Sequence, residues 1–572
     1  MKRGKYILLV VLFFAVLVAA AFVAFVTVEF APRPPAVAAR SYLEIGLGGE
    51  LAEWSQPDFF TSLVLGSQPQ SLHDVWTNLR KAKADRRIQG ILLRLDMLQC
   101  GWAKAAELRE AILDFRMSGK KAFAYIEEAP EFNKEYYLAT ACDKVILHPL
   151  GWLGLTGIGG DIPFFKKGLD KLGIEAQFEH IGRYKTAYNQ FTEEGFTPAH
   201  REMEESLLSD TFSRFVTTVA QARGKTEAEV KGLIDKAFFQ GDQALAAGLV
   251  DELLYDDQLP DLFQAGGVKA VRVRSEDYLR VKPSSLGLDR GRRVALIYAL
   301  GPILSGESLN SQIIGGRTLA RWIRTARLDK SVAAIVIRVD SPGGSAVASD
   351  TIGREVELAK KAKPVVVSMS DMAGSGGYWI SMSAHKIFAQ PQTLTGSIGV
   401  LSGKFNFAKL YQKLGISSEE LSYGRHANIF SSFHPLSAEE QALLREQISW
   451  IYDKFLAKAS AGRNLTKDRV NEIGQGRVWT GSQALALGLI DGLGGLGPAI
   501  EEAKRLAGIP ASESVRLDIR PRKTSFWGSF FGGSRDVGSL RLPSAIRRAL
   551  DGLEVMSRER ILALMPMPAT SR

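Results

Sequence analysis

Residues 371–379 read DMAGSGGYW, which sets Ser375 among glycines directly after the apolar run PVVVSMS. Glycines crowded around one hydroxyl allow the sharp turn that exposes a nucleophile, and AGSGG resembles a nucleophile elbow with Ala373 in place of its first glycine. A helix opening after Ser375 would aim backbone N–H groups at a negative charge forming beside it. The N–H of Gly376 is then the natural oxyanion donor. A second donor is expected from DSPGGS (340–345), where Gly343 and Gly344 end an apolar run that reads as the neighbouring parallel strand. Ligands of open α/β sheets gather at such carboxyl ends. The plain alternative is that Gly-Ser-Gly only turns the chain.

A serine is a poor nucleophile at neutral pH and needs a base. His385 is the nearest histidine, but across an intervening helix it lies about 15 Å away. Asp371 is closer, yet a carboxylate is a weak base toward serine and has no histidine to orient. A lysine buried deeply enough to lose its proton remains.

The elements that must position these residues are written twice. IQGILLRLDMLQCG (88–101) is echoed by VAAIVIRVDSPGGS (332–345), LTGIGG (155–160) by LTGSIGV (394–400), and GDQALAAGLVDEL (241–253) by GSQALALGLIDGL (481–493). Opening strands SYLEIGLGG (41–49) and VALIYALGP (294–302) complete the frame. Within each half, short β-branched runs alternate with amphipathic stretches, the pattern of βαβ units around a buried, mostly parallel sheet. In the second half, strands are predicted at 332–340, 364–370 and 386–390, and helices near 348–361, 376–384 and 437–462. The last opens with a Ser437/Glu440 capping box, and its match in the first half spans 200–224.

At an offset of 242, GRYKTA (182–187) falls opposite GRHANI (424–429), so that Lys185 faces Ala427 while Asn133 faces Ser375. Each half lacks what the other has, which suggests one site assembled from both. The ordinary reading of Lys185 is one solvated lysine among many; its flanking Tyr184 and Tyr188 and the reciprocal loss favour function.

The net charge of +10 belongs to the ends of the chain: Lys2, Arg3 and Lys5 lead, and from Arg520 onward ten basic residues face four acidic ones. The body carries almost none, and no basic stripe interleaved with stacking aromatics appears, so no nucleic-acid partner is expected. Residues 7–28 are uncharged and would form a helix of about 33 Å, a spanning length rather than that of a cleaved signal peptide. The basic residues before them predict a cytoplasmic N-terminus and everything after residue 29 across the membrane, lifted by the stiff spacer APRPPAVAAR (31–40). Cys100 and Cys142 are the sole cysteines, and nothing in their spacing demands a bridge. The scattered histidines form no ligand pattern, so no metal and no cofactor are expected.

Together DSPGGS, GSGGYWIS, TLTGSIGV and GRYKTA resemble the signal peptide peptidase A (protease IV) family in its long, duplicated, membrane-anchored form. The resemblance covers about residues 41–510. It implies two tandem homologous α/β domains of the ClpP/crotonase fold (41–275 and 292–510, joined by a linker at 276–291), preceded by a transmembrane signal anchor at 6–28. It also implies a Ser-Lys peptidase with Ser375 as nucleophile, Lys185 as general base, Ser397 as the serine that places the lysine, and Gly376 with Gly343 or Gly344 as oxyanion hole. The family's long members imply a homotetramer on the periplasmic side of the bacterial inner membrane, held to lipid by the N-terminal helix and cutting signal-peptide remnants and other extended apolar peptides. Gly374 stands where many relatives have alanine. The basic extension 511–572 lies outside the resemblance; Phe526, Trp527, Phe530 and Phe531 suit either a membrane surface or a disordered tail. The rival readings are an acyl-CoA enzyme of the same fold and an inert membrane scaffold.

Overall fold

The structure, a computed structural model, describes residues 37–54, 70–128, 132–264, 269–308, 312–522 and 559–566. The expected anchor at 7–28 and the aromatic residues Phe526 to Phe531 lie outside them. No helix among the described residues is long and apolar enough to cross a membrane.

Two α/β sheets follow one another along the chain. The first is wholly parallel, in the order Glu252–Leu253, Lys144–Leu147, Lys121–Ile126, Ile88–Gln99, Ser41–Glu50, Val271–Arg274. The second runs Val478–Thr480, Leu394–Gly396, Val365–Gly374, Val332–Ser341, Arg293–Leu300, Arg516–Arg520, with Lys386–Ala389 also paired to Val365–Gly374. Its one antiparallel neighbour pair is Leu394–Gly396 with Val478–Thr480. Val332–Ser341 is buried at almost every position, as a strand covered on both faces must be. The expected strands at 332–340, 364–370 and 386–390 are Val332–Ser341, Val365–Gly374 and Lys386–Ala389.

The long helices are Pro198–Arg223, capped by Thr197, and Ala438–Arg463, whose Ser437/Glu440 capping box is present. The helix after Ser375 is only Gly376–Ser381, shorter than the predicted 376–384. It stops because His385 N donates to Val365 O and draws the chain into the next strand. Two elements outrun the predicted domain limits. Tyr278 and Val281 are buried in the first core, where their carbonyls accept from Lys81 Nζ, and Arg516–Arg520 extends the second sheet beyond residue 510.

The halves are joined by contacts of three kinds. Trp54 and Trp76 of the first pack on Val294, Leu296 and Val336 of the second, under the helix Leu496–Leu506. A charged cluster is buried at the same junction: Arg338, wholly shielded from solvent, donates to Glu53 (2.6 Å) and to Glu107, while Lys104 pairs with Asp340 (2.8 Å) and Asp371 (3.4 Å). The Asp371 carboxylate also accepts from Gly101 N and Lys104 N at 2.9 Å, capping the first-half helix Trp102–Arg116. Finally, Glu175–Ile181 of the first half pairs antiparallel with Val400–Asn406 of the second. That pairing lies within a third sheet, ordered Ile314–Gly315, Ile303–Leu304, Gly343–Ser345, Ile561–Leu564, Val400–Asn406, Glu175–Ile181.

Candidate active site

Three strand registers converge on one point. Gly374 pairs with Gly396, which puts Ser375 beside Ser397. Ser341 pairs with Ala373, which brings Gly343 to the same level. Ile181 pairs with Val400 across the two halves, and the turn that follows carries Lys185 back over Ser397. Residues separated by 190 and 212 positions therefore meet: Lys185 Nζ lies 2.7 Å from Ser375 Oγ and 3.1 Å from both the Oγ and the carbonyl oxygen of Ser397.

The local backbone is bent to make this possible. Ser375 sits at φ 52°, ψ −107°, a conformation that an L-residue adopts only under constraint. Its N–H is held by Gly396 O at 2.8 Å. Ser397 is likewise at φ 50°, with its N–H on Arg477 O at 2.7 Å. The lysine is threaded between two glycines that sequence reasoning passed over. A side chain at Gly476 would begin 2.6 Å from Lys185 Cα, and one at Gly399 would begin 3.0 Å from Lys185 Cδ. The visible signals for them were the pair of glycines in GQGR (474–477) and the last glycine of TGSIG.

Lys185, Ser375 and Ser397 are all fully buried. Burial, with no charge set against it, holds the Lys185 amine well below the ordinary lysine range. An amine kept neutral at hydrogen-bond distance from a hydroxyl can take its proton. The glycines expected to bind an oxyanion are adjacent: a side chain at Gly343 (φ +95°) would begin 2.6 Å from Gly376 N, and one at Gly376 would begin 3.1 Å from Gly344 N. Only glycine fits there. In this structure Gly343 N–H rests on Ser341 Oγ at 3.2 Å.

The discarded bases have other duties. Asp371 caps a helix of the other half, as described, and His385 Nδ1 accepts from Val365 N at 3.1 Å. Cys100 and Cys142 are free thiols, and burial pushes both up to about 12.

An α/β fold that presents one serine at a strained strand-to-helix turn, against a fully buried amine held well below the ordinary lysine range, has the parts of a serine hydrolase. Comparison with known proteins narrows this. The family model described as Peptidase family S49 matches twice, at residues 114–266 and 357–510, once in each half. A chloroplastic serine protease SPPA of Arabidopsis thaliana is 37% identical over 523 residues, covering 90% of this chain and 75% of that protein. Protease 4 of Salmonella typhi is 36% identical over 77% of this chain and 72% of its own length, and Protease 4 of Haemophilus influenzae 34% identical over 76% and 73%. The chain belongs to peptidase family S49 and is a serine peptidase.

Proposed function

We propose that the protein is a Ser-Lys endopeptidase in which Ser375 is the nucleophile, Lys185 the general base and Ser397 the group that holds the lysine in place. The observation that carries the reading is the 2.7 Å approach of Nζ to Oγ in a fully buried pocket where no charge opposes deprotonation of the amine. Neutral Lys185 takes the hydroxyl proton as Oγ attacks a peptide carbonyl carbon. The resulting oxyanion is received by the N–H of Gly376 and that of Gly343 or Gly344. As the tetrahedral species collapses, the lysine ammonium gives its proton to the departing amine, leaving an acyl group on Ser375. Water, deprotonated by the same amine, attacks that ester; the second collapse releases the acid and restores the serine.

The substrates in this reading are extended apolar peptides, signal-peptide remnants among them. The body is held by residues 7–28 on the outer face of the bacterial inner membrane, as a homotetramer. Exposed Ile416, Leu421, Tyr423 and Trp450 are apolar side chains that a contact between subunits would cover. Light scattering of the detergent-solubilised full chain gives the oligomer mass.

The deciding experiment is labelling with a fluorophosphonate probe. Ser375→Ala abolishes labelling and peptide hydrolysis; Lys185→Ala abolishes hydrolysis and slows labelling by orders of magnitude. An inert scaffold or an acyl-CoA enzyme without an acyl-serine step predicts no labelling of the parent protein, and that result would sink the reading.

A further inference from the structure

The strand Ile561–Leu564 comes from the extension that lies outside every repeated element, yet it fills the middle of the third sheet. It pairs antiparallel with Gly343–Ser345 on one side (Gly343 with Leu564, Ser345 with Leu562) and with Val400–Asn406 on the other (Leu401 with Leu562). Those two strands are the ones that carry the oxyanion glycines and follow Ser397. A polypeptide hydrogen-bonded between them lies along the nucleophile, in the way an extended substrate adds to exposed strand edges.

The alternation of side chains reads the groove. Leu562 and Leu564 point to an apolar patch with Phe191, Leu304 and Leu401, while Ala563 points into the second core. Beyond the strand, Met565 N donates to Pro342 O at 2.8 Å. Its side chain enters a pocket formed by Tyr184, Met203, Leu207 and Val478, drawn from both halves. This pocket abuts the nucleophile: a side chain on Gly374, the residue before Ser375, would begin 2.3 Å from Met565 Sδ. Ala563 O lies 2.1 Å from the point where a Gly343 side chain would begin, the same space that borders Gly376 N. Leu562, Ala563, Leu564 and Met565 are all buried. The segment is fastened at its start, where Glu559 accepts from Ser305 N (2.6 Å) and Ser305 Oγ (3.0 Å), and Ser402 Oγ donates to Arg560 O (2.6 Å).

We propose that residues 559–566 are a tethered pseudosubstrate: this chain's own tail occupies the substrate groove and marks its specificity, with a Met-sized unbranched apolar side chain in the pocket beside Gly374 and a small residue two positions before it. The proposal rests on the Ser375/Lys185 reading above. A peptide substrate must displace the tail, so the apparent KM is raised by the ratio of closed to open molecules while the chemical step is untouched.

The test uses the full-length protein with an apolar fluorogenic peptide. Met565→Asp, which puts a charge in the apolar pocket, lowers KM at least fivefold with kcat unchanged and speeds fluorophosphonate labelling of Ser375 by a similar factor. Glu559→Ala, which frees the anchor without touching the pocket, acts in the same direction to a smaller extent. A synthetic peptide of residues 559–566, added to the Met565→Asp protein, inhibits competitively, and its Met-to-Asp version does not. Unchanged KM and labelling rate in both variants overturn the proposal while leaving the dyad intact; activity surviving in Ser375→Ala strikes the dyad itself. Intact mass showing the tail cut off in the parent but kept in Ser375→Ala also overturns it, because the segment is then a substrate rather than a standing competitor.

Discussion

Lys104 and Lys185 both belong to the first half of the chain, and both are buried against the second. Their surroundings shift their pKa values in opposite directions. Burial works against the charge of Lys104, but Asp340, Asp371 and Glu53 outweigh it and hold its ammonium well above the usual lysine range. Around Lys185 burial acts alone and pushes the amine far down. The partners of Lys185 are two serine hydroxyls and a carbonyl, groups that orient an amine without favouring its charge. One lysine therefore clamps the halves together through its charge, and the other is held where its amine gives up a proton more readily, as the proposed base must. What separates them is the placement of carboxylates, Asp340 and Asp371 from the second half and Glu53 from the first, since burial is common to both.

The largest effect expected from breaking this contrast is on catalysis. Lys185→Met removes the base and lowers kcat/KM by about 10⁴-fold or more, the scale seen when one member of a catalytic unit is lost. The same variant unfolds at a higher temperature than the parent at pH 7. Because the folded-state pKa of Lys185 is depressed, the unfolded chain binds more protons between the folded and unfolded pKa values. Parent stability therefore rises with pH across that window, and the advantage of Lys185→Met fades as pH approaches the unfolded lysine value near 10.4. A variant no more stable than the parent at pH 7 would mean that Lys185 is not held neutral.

Next comes the clamp. Lys104→Met leaves Asp340 and Asp371 facing each other unpaired and costs about 3–5 kcal/mol by denaturant unfolding. The Lys104 contribution is fully present below pH 10 and is lost only as pH climbs through its raised folded pKa. Gly343→Ala follows: its Cβ would begin 2.6 Å from Gly376 N and fill the space proposed for the oxyanion, so kcat falls about 10²–10³-fold. The pH profile sharpens the comparison without mutation. Hydrolysis in the parent rises with pH through a single ionisation below the ordinary lysine range; a profile already flat from pH 5 upward is incompatible with a lysine base. Ser397→Ala gives the smallest change. Nζ keeps Ser375 Oγ and the Ser397 carbonyl, so the loss of one hydrogen bond lowers kcat/KM about ten- to hundredfold.

The duplicated halves show what sequence could reveal and where it stopped. Reciprocal gaps at Asn133/Ser375 and Ala427/Lys185 pointed to a composite site, and the structure extends the reciprocity to whole strands. Val400–Asn406 has no strand counterpart at 158–164, and Glu175–Ile181 has none at 417–423. Gly159, Gly160 and Pro163 disfavour a strand in the first case, and the polar run SSEEL does so in the second. The counterpart of the serine is closed off: Asn133 Nδ2 donates to Gly157 O at 2.9 Å, while Gly157 N donates to Asn133 Oδ1 at 3.1 Å. At the offset of 242 Gly157 matches Gly399, so the amide takes the carbonyl that corresponds to the one Ser375 Oγ faces at 3.4 Å in the other half. The Arg-x-Asp motif diverges as well. Arg94 pairs with Glu44 near the surface, whereas Arg338 is sealed between Glu53 and Glu107 of the other half. Local pattern gives the two arginines the same identity and cannot give them different neighbours.

By itself, the sequence determined the parts: the βαβ frame, its duplication, the glycine-bounded Ser375 and the lysine missing its counterpart. These follow from periodicity, turn chemistry and repeat comparison, which are local or pairwise properties of the chain. Tertiary structure decided which groups meet. The lowered pKa of Lys185 depends on being buried away from every carboxylate, the fit of Gly399 and Gly476 around it depends on a close approach across the two halves, and the tail strand joins the third sheet through hydrogen bonds that any extended backbone can make. A backbone pairing of that kind leaves little mark on residue type, and charge state is set by neighbours distant in sequence, so both became legible only once the chain was folded.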